Sequence, residues 1–186
     1  MNRVHERVTE GLRRMWRRAH ILQEVAKSPK DLPQGAYVMI QPVSGMVIIS
    51  YTDPEGQDLV QWKKHPVYGS ISIEPGSNRC EGAWGVTGSS ARKGWGPLLY
   101  DVAIEWATLN GAGLMSDRAM VSKLARAVWQ KYLTARPDVD AEELPDVCSP
   151  LLDPDEEKAE EALMYRYSKQ PTMISKLRGM GKLIES

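Results

Sequence analysis

"SSARKGWGPLLYDVAIEWATLNGAG", residues 89–113, decides how this chain is read. Two glycines, Gly94 and Gly96, flank Trp95, and Pro97 follows. From there Leu98, Leu99, Val102, Ala103, Trp106 and Ala107 recur at helical spacing and share one face. Proline is favoured in a first helical turn and Asn110-Gly111 is a sound stop, so a helix is expected over 97–110. Two acids, Asp101 and Glu105, interrupt the run, and Asp101 is placed to complement the helix dipole. Just upstream, "CEGAWGVTGS" (80–89) reads as a glycine-rich strand whose lack of bulk points to close approach of another group to its backbone. A glycine turn between a strand and a helix start is an anion-binding arrangement. The first helical N–H groups have no partner within the helix, and the positive end of the dipole lies there. Arg92 and Lys93 add positive charge. A Gly-x-Gly turn alone reads better as a tight entry into a core helix, so the flanking elements must carry any other reading.

Upstream the period is that of strands. "AYVMIQP" (36–42) and "GMVIISYT" (45–52) are β-branched and apolar, and "DPEG" (53–56) is a turn signal. "DLVQW" (58–62), "VYGSISI" (67–73) and the turn "PGSN" (75–78) follow. Downstream, "GLMS" (113–116) suits a short strand. A helix is expected over 120–135, with Val121, Leu124, Ala125, Val128, Trp129 and Tyr132 on one face. Residues 136–154 are acidic and proline-bearing and read as loop; 153–169 open with a capping pattern and read as a helix; 171–185 read as a short helix or arm. Before all of these, residues 4–26 carry an apolar stripe from Val4 to Val25, with Arg13, Arg14, Arg17 and Arg18 on the other face.

The expected architecture is α/β: a mixed, largely antiparallel sheet flanked by helices, with an N-terminal helix and an irregular helical C-terminal arm. Three portions are expected, 1–30 as a basic amphipathic helix, 31–135 as the core and 136–186 as an acidic loop and arm. At 186 residues, 42% hydrophobic and 26% charged, the chain is of globular composition with a sizeable core. The net charge is zero, but residues 1–30 hold eight Lys/Arg against three acids, and 138–161 hold eleven acids against Lys158. Such asymmetry fits partner binding or one end of the chain docking on the other. Nucleic acid is one partner that the arginine row could take, and a solvated face is the plainer reading. Cys80 and Cys148 are far apart in no paired spacing, so neither a disulfide framework nor a zinc site is expected. His5, His20 and His65 have no ligand spacing, and no metal is expected. No apolar run reaches membrane-spanning length and the first residues have no signal-peptide core, so the expected address is cytoplasmic, with no membrane partner.

The order strand, Gly-x-Gly loop, amphipathic helix, short strand and second helix resembles the GNAT acyltransferase superfamily over roughly residues 36–135. That family binds acetyl-CoA through a loop of form Gln/Arg-x-x-Gly-x-Gly/Ala, which falls on Ala91, Gly94 and Gly96. Its next motif, Asn-x-x-Ala-x-x-x-Tyr, falls on Ser122, Ala125 and Trp129. The departures are Ala91 at the first loop position, Pro97 where an N–H would help, Ser122 for Asn, and Trp129 for the Tyr that often protonates the departing thiolate. Phrases such as "GWGPLLYDVA" look most like phage-encoded members.

The resemblance implies acyl transfer from acyl-CoA to an amine. Arg92, Lys93, Gly94, Trp95, Gly96 and Ser122 would hold the cofactor, and Val86, Thr87 and Gly88 would be backbone partners of the pantetheine arm where the family opens its sheet. The chemistry needs proximity, a base for the amine and N–H groups to polarise the carbonyl. Candidate bases are Glu74, Glu81 and Asp117, each also readable as a solvated or capping carboxylate. Tyr132, one turn beyond Trp129, is the candidate acid, or else a core aromatic. A binding module without catalysis and a nucleobase-modifying enzyme are the competing readings.

Overall fold

A computed structural model describes residues 26–53, 68–119, 121–148 and 161–186. The basic helix expected at the N-terminus with its arginine row, the strand expected over 58–62, most of the "DPEG" turn and the first part of the helix expected over 153–169 lie outside the described residues.

Eight strands form one mixed sheet. In chain order they are β1 (Tyr37–Val43), β2 (Met46–Thr52), β3 (Gly69–Pro75), β4 (Trp84–Ala91), β5 (Leu114–Met115), β6 (Asp140–Glu143), β7 (Tyr165–Ser168) and β8 (Leu183–Glu185). Three α-helices are described: α1 (Gly96–Leu109), α2 (Lys123–Ala135) and α3 (Thr172–Gly179). Across the sheet the order is β6-β7-β5-β4-β3-β2-β1-β8. Only β4–β5 and β1–β8 are parallel; the other neighbours are antiparallel. The α/β class and the largely antiparallel sheet are as the sequence leads one to expect.

The first hairpin forms because Ser44 and Gly45 both take positive φ, 49° and 89°, as a two-residue turn compatible with strand twist requires. The register of β2 with β3 places Val47 opposite Ile73 and Ile49 opposite Ile71, so alternate residues of the two strands build one buried face. Helix α1 lies across that face and reaches β2, β3 and β7 as well as α3. Trp129 from α2 stacks on Tyr167 of β7 with ring centroids 5.1 Å apart.

Three expectations need correcting. The described residues of 136–186 are not an irregular helical arm; they supply β6, β7, α3 and β8. Residues 161–168, expected as the end of a helix, form a short 3-10 turn and then β7, which inserts between β5 and β6 and buries Tyr167. The sheet edge offered by β5 outweighs a local helix preference. Secondly, Leu124 does not join the buried face of α2: it is 82% exposed, while Trp129 and Tyr132 are buried and Val121 and Val128 pack half-buried beside them. Thirdly, Cys80 and Cys148 form a disulfide. They lie 68 residues apart, but two 3-10 turns, Asn78–Cys80 and Asp146–Cys148, bring their Cα atoms to 5.1 Å beside Ala83, Met115 and Leu144.

Candidate functional site

Strands β4 and β5 part company. Trp84 pairs with Leu114 and Gly85 with Met115, and there the parallel ladder ends. β4 runs on to Ala91, while the chain leaving β5 turns through Ser116, Asp117 and Arg118 toward α2. Among the described residues, no strand pairs with Val86–Ala91 on the side away from β3. The cause is local. Ser72 pairs with Gly88 and Ile73 with Val86, so Thr87 is an extra residue, a bulge that bends β4 and raises its twist. The Thr87 hydroxyl donates to Ser72 O at 3.3 Å, and residues 87–91 are exposed. Val86 is buried at the root of the opening.

The glycine turn closes the open end. Arg92 N donates to Tyr68 O at 2.9 Å and Trp95 N to Arg92 O at 3.0 Å, with Gly94 at φ 88° between them. A side chain at Gly94 would strain that turn. Helix α1 starts at Gly96, and its first N–H groups have no intrahelical acceptor. Pro97 offers none. Arg92 and Lys93 are exposed around them, and Lys27, whose N–H donates to Gly94 O at 2.8 Å, is a third exposed cation beside the turn. Lys27 had no motif to flag it. Trp95 faces the other way: it is buried between Tyr51 and Tyr68, and its carbonyl accepts from the Tyr51 hydroxyl at 2.7 Å. Its side chain plugs the core beneath the turn.

Two glycines here are not demanded by the fold. A Cβ at Gly88 would meet nothing within 4 Å, and one at Gly96 would only touch Ala91 Cβ at 3.6 Å. Neither has a positive φ. Both leave a cradle along the parted strand and the helix start that a side chain would fill.

On the far side, Asp117 stands at the open end of β5, half-buried, with Oδ1 accepting from Ala119 N at 2.7 Å. Arg118 is a clamp: it donates to the carbonyls of Ser116 (3.0 Å), Cys148 (3.1 Å) and Leu163 (2.9 Å) and to the Ser116 hydroxyl. Burial pushes its guanidinium down to about 10. Ser122 caps α2, its hydroxyl accepting from Ala125 N at 3.2 Å.

Glu81 is elsewhere. It precedes β4 at the paired end, exposed, with Arg166 at 3.3 Å. The eight residues of β4 separate that end from the glycine turn by about 23 Å. Glu74, opposite Gly85, is also at the paired end. Tyr132 is buried, and its hydroxyl donates to Asp101 Oδ1 at 2.8 Å. Arg136 holds the same carboxylate through both terminal nitrogens, at 2.9 and 3.2 Å. Burial, with the Asp101 charge added, raises the Tyr132 phenol well above its ordinary value. Asp101 therefore serves the α1–α2 contact and not the dipole of its own helix. Another phenol reaches the opening instead: Tyr100 on α1 meets the hydroxyl of Ser89, on the parted length of β4, at 3.0 Å. Nothing in the sequence marked Tyr100 beyond its place in the helix.

Comparison with known family models, curated proteins and solved structures finds no match.

Proposed function

We propose that this chain is an acyltransferase that moves an acetyl or similar acyl group from acyl-CoA to an amine. The observation that carries the reading is the parting of β4 from β5 beyond Gly85, with the Gly94 turn and the start of α1 at the end of the parted edge. The side of Val86, Thr87 and Gly88 that no described strand covers would line the pantetheine arm as a strand would, and N–H groups there would polarise the thioester carbonyl. The start of α1, Arg92, Lys93 and Lys27 would take the phosphates. Asp117, at the same end, is the carboxylate best placed to accept the amine's proton, directly or through water.

The test uses the glycines that the fold tolerates losing. Gly96→Ala adds a methyl with room against Ala91 and a better helix former, so thermal stability should hold. Affinity for CoA in calorimetry should fall by roughly tenfold or more. Gly88→Val should do the same from the strand side. Undiminished CoA affinity in both would refute the assignment.

A second reading, a binding module that takes CoA without transferring its acyl group, is favoured by Trp129. It occupies the position that the resemblance gives to a Tyr, and it is buried. CoA binding with no acyl transfer to any of a broad panel of amines would decide for it. The nucleobase-modifying reading rests on Arg13, Arg14, Arg17 and Arg18, which lie outside the described residues. Nucleic-acid binding through them must weaken steeply with salt, because phosphate contacts release counterions.

A further inference from the structure

We infer that the Cys80–Cys148 disulfide is a redox latch on the open end of β5, and that Arg118 carries its state to Asp117. Only the consequence for turnover rests on the acyl-CoA reading above. Asp117 stands just past Met115, where β5 and its ladder to β4 both end, so its backbone is positioned by the residues on either side. Arg118, the next residue, donates to Ser116 O behind it, to Cys148 O in the turn after β6 and to Leu163 O in the turn before β7. Of these three acceptors, the Cys148 carbonyl belongs to a residue bonded covalently to a distant segment, through Cys80 ahead of β4. Cys148 Sγ also lies 3.6 Å from Met115 Sδ. The disulfide therefore fixes both the carbonyl that Arg118 grips and the side chain that ends β5. Without it, the chain must hold the turn Asp146–Cys148 in place against loop-closure entropy, and water competes with Arg118 for the carbonyl.

Both cysteines are buried, so a reductant meets the bond only when the turn opens. Val147, between Asp146 and Cys148, is 65% exposed, and the turn has little apolar cover to lose on opening. The grip of Arg118 on Cys148 O opposes that opening. Latch and grip thus stabilise each other, and the coupling is reciprocal. The step is thiol–disulfide exchange with a dithiol. Its thiolate attacks Cys148 Sγ, the S–S bond breaks, and Cys80 leaves as a thiolate and takes a proton. The second thiol of the reductant, deprotonated, then attacks the mixed disulfide, closes its own disulfide and releases the Cys148 thiolate, which takes a proton in turn. The protein gains two electrons and two protons, and the dithiol is oxidised.

Hydrogen exchange of the full chain, oxidised and after dithiothreitol, tests the latch. Amides of 116–119 and 161–164 should exchange faster in the reduced protein, and those at the start of α1 should not. Cys80→Ala with Cys148→Ala should reproduce the reduced pattern. Unchanged exchange at 116–119 in both would overturn the latch. Arg118→Lys keeps the charge but loses the fork that spans the carbonyls, and the disulfide should be reduced by dithiothreitol about tenfold faster. Tyr132→Phe, which loses a buried hydrogen bond away from the disulfide, should be reduced at nearly the wild-type rate. Equal acceleration in Tyr132→Phe would mean that the bond opens by global unfolding, and would overturn the coupling to Arg118. On the acyl-CoA reading, reduction should lower turnover of acetyl-CoA with primary amines about tenfold while calorimetric CoA affinity holds, because the glycine turn lies at the far end of β4. Faster exchange at 116–119 with undiminished turnover would overturn the part given to Asp117 and leave the latch standing. A wild-type protein that binds no CoA overturns the acyl-CoA reading alone.

Discussion

Tyr132 and Asp101 show how a side chain of reactive type is spent on structure. The phenol donates to a carboxylate that Arg136 already holds with two bonds, and Arg136 also lies 5.1 Å from the Tyr132 ring centroid. Tyr132→Phe leaves a buried carboxylate one donor short, at a cost of about 1.5–3 kcal/mol for a hydrogen bond to a charged group. The expected result is a lower denaturation midpoint with CoA affinity unchanged; unchanged stability would show that the bond contributes nothing. Arg136 makes a second pair with Asp138, at 2.8 Å. Those hydrogen bonds hold the Asp138 carboxyl down to about 2. A carboxyl depressed in the folded state stabilises fully above its unfolded value and loses that contribution as pH falls through the folded one. The window thus runs from about 4 down to about 2. Stability measured against pH should be flatter across it in Asp138→Asn than in wild type.

Among the elements, α3 depends on one residue of α1. Glu105, fully buried, accepts from the backbone N–H groups of Met173 and Ile174, both at 2.7 Å, and from the Thr172 hydroxyl at 3.0 Å. A carboxylate from another helix thereby caps a helix whose own N-cap residue, Pro171, makes no side-chain cap. Lys169 pairs with it, also buried. Neither charge has water to fall back on; without Glu105, Lys169 keeps the Thr172 hydroxyl at 2.9 Å and a longer pair with Asp138 at 3.6 Å. Glu105→Gln should cost about 3–5 kcal/mol in chemical denaturation. Adding Lys169→Met should return part of that loss, since the buried ammonium that has lost its nearest carboxylate is removed with it; no recovery would mean that the helix cap, not the ion pair, carries the energy.

At the scale of the molecule, the main core under the sheet and the smaller cluster of Cys80, Ala83, Met115, Leu144 and Cys148 are joined through β5. The disulfide closes a long loop across that smaller cluster. Cross-links of this span stabilise by about 2–4 kcal/mol, largely by restricting the unfolded chain. Adding a reductant, or Cys80→Ser with Cys148→Ser, should lower the melting temperature by several degrees while the far-ultraviolet dichroism of the folded protein is retained. The bond also bears on where the protein works, because thiols of the cytoplasm are kept reduced. Quantifying free thiols in protein trapped directly from its own cells sets the cytoplasmic expectation against the bond. Among the described residues no helix is long and apolar enough to cross a membrane.

What the amino-acid sequence determined by itself is what short-range physics governs. The β-branched, apolar runs of 36–52, the alternation in 67–73, period 3.6 from Pro97 to Leu109 and the glycine turn before that helix need only neighbours a few residues apart, and the strands, helix and turn they lead one to expect are among the described elements. The opening of the sheet beside Val86, Thr87 and Gly88 was reached from the likeness of that turn to a known loop. Tertiary structure alone decided the rest, because each case depends on a partner distant in the chain. β7 and β6 exist because β5 presents an edge, so a helix-like sequence was drawn into a strand and "DAEE" into the one beside it. The disulfide joins residues whose spacing carries no sign of their meeting. The reach of Tyr100 to Ser89, and the engagement of Tyr132 by Asp101, follow from how α1 and α2 pack. That packing runs through Trp129, whose ring meets Tyr100 on one side and Tyr167 on the other, which no local pattern encodes.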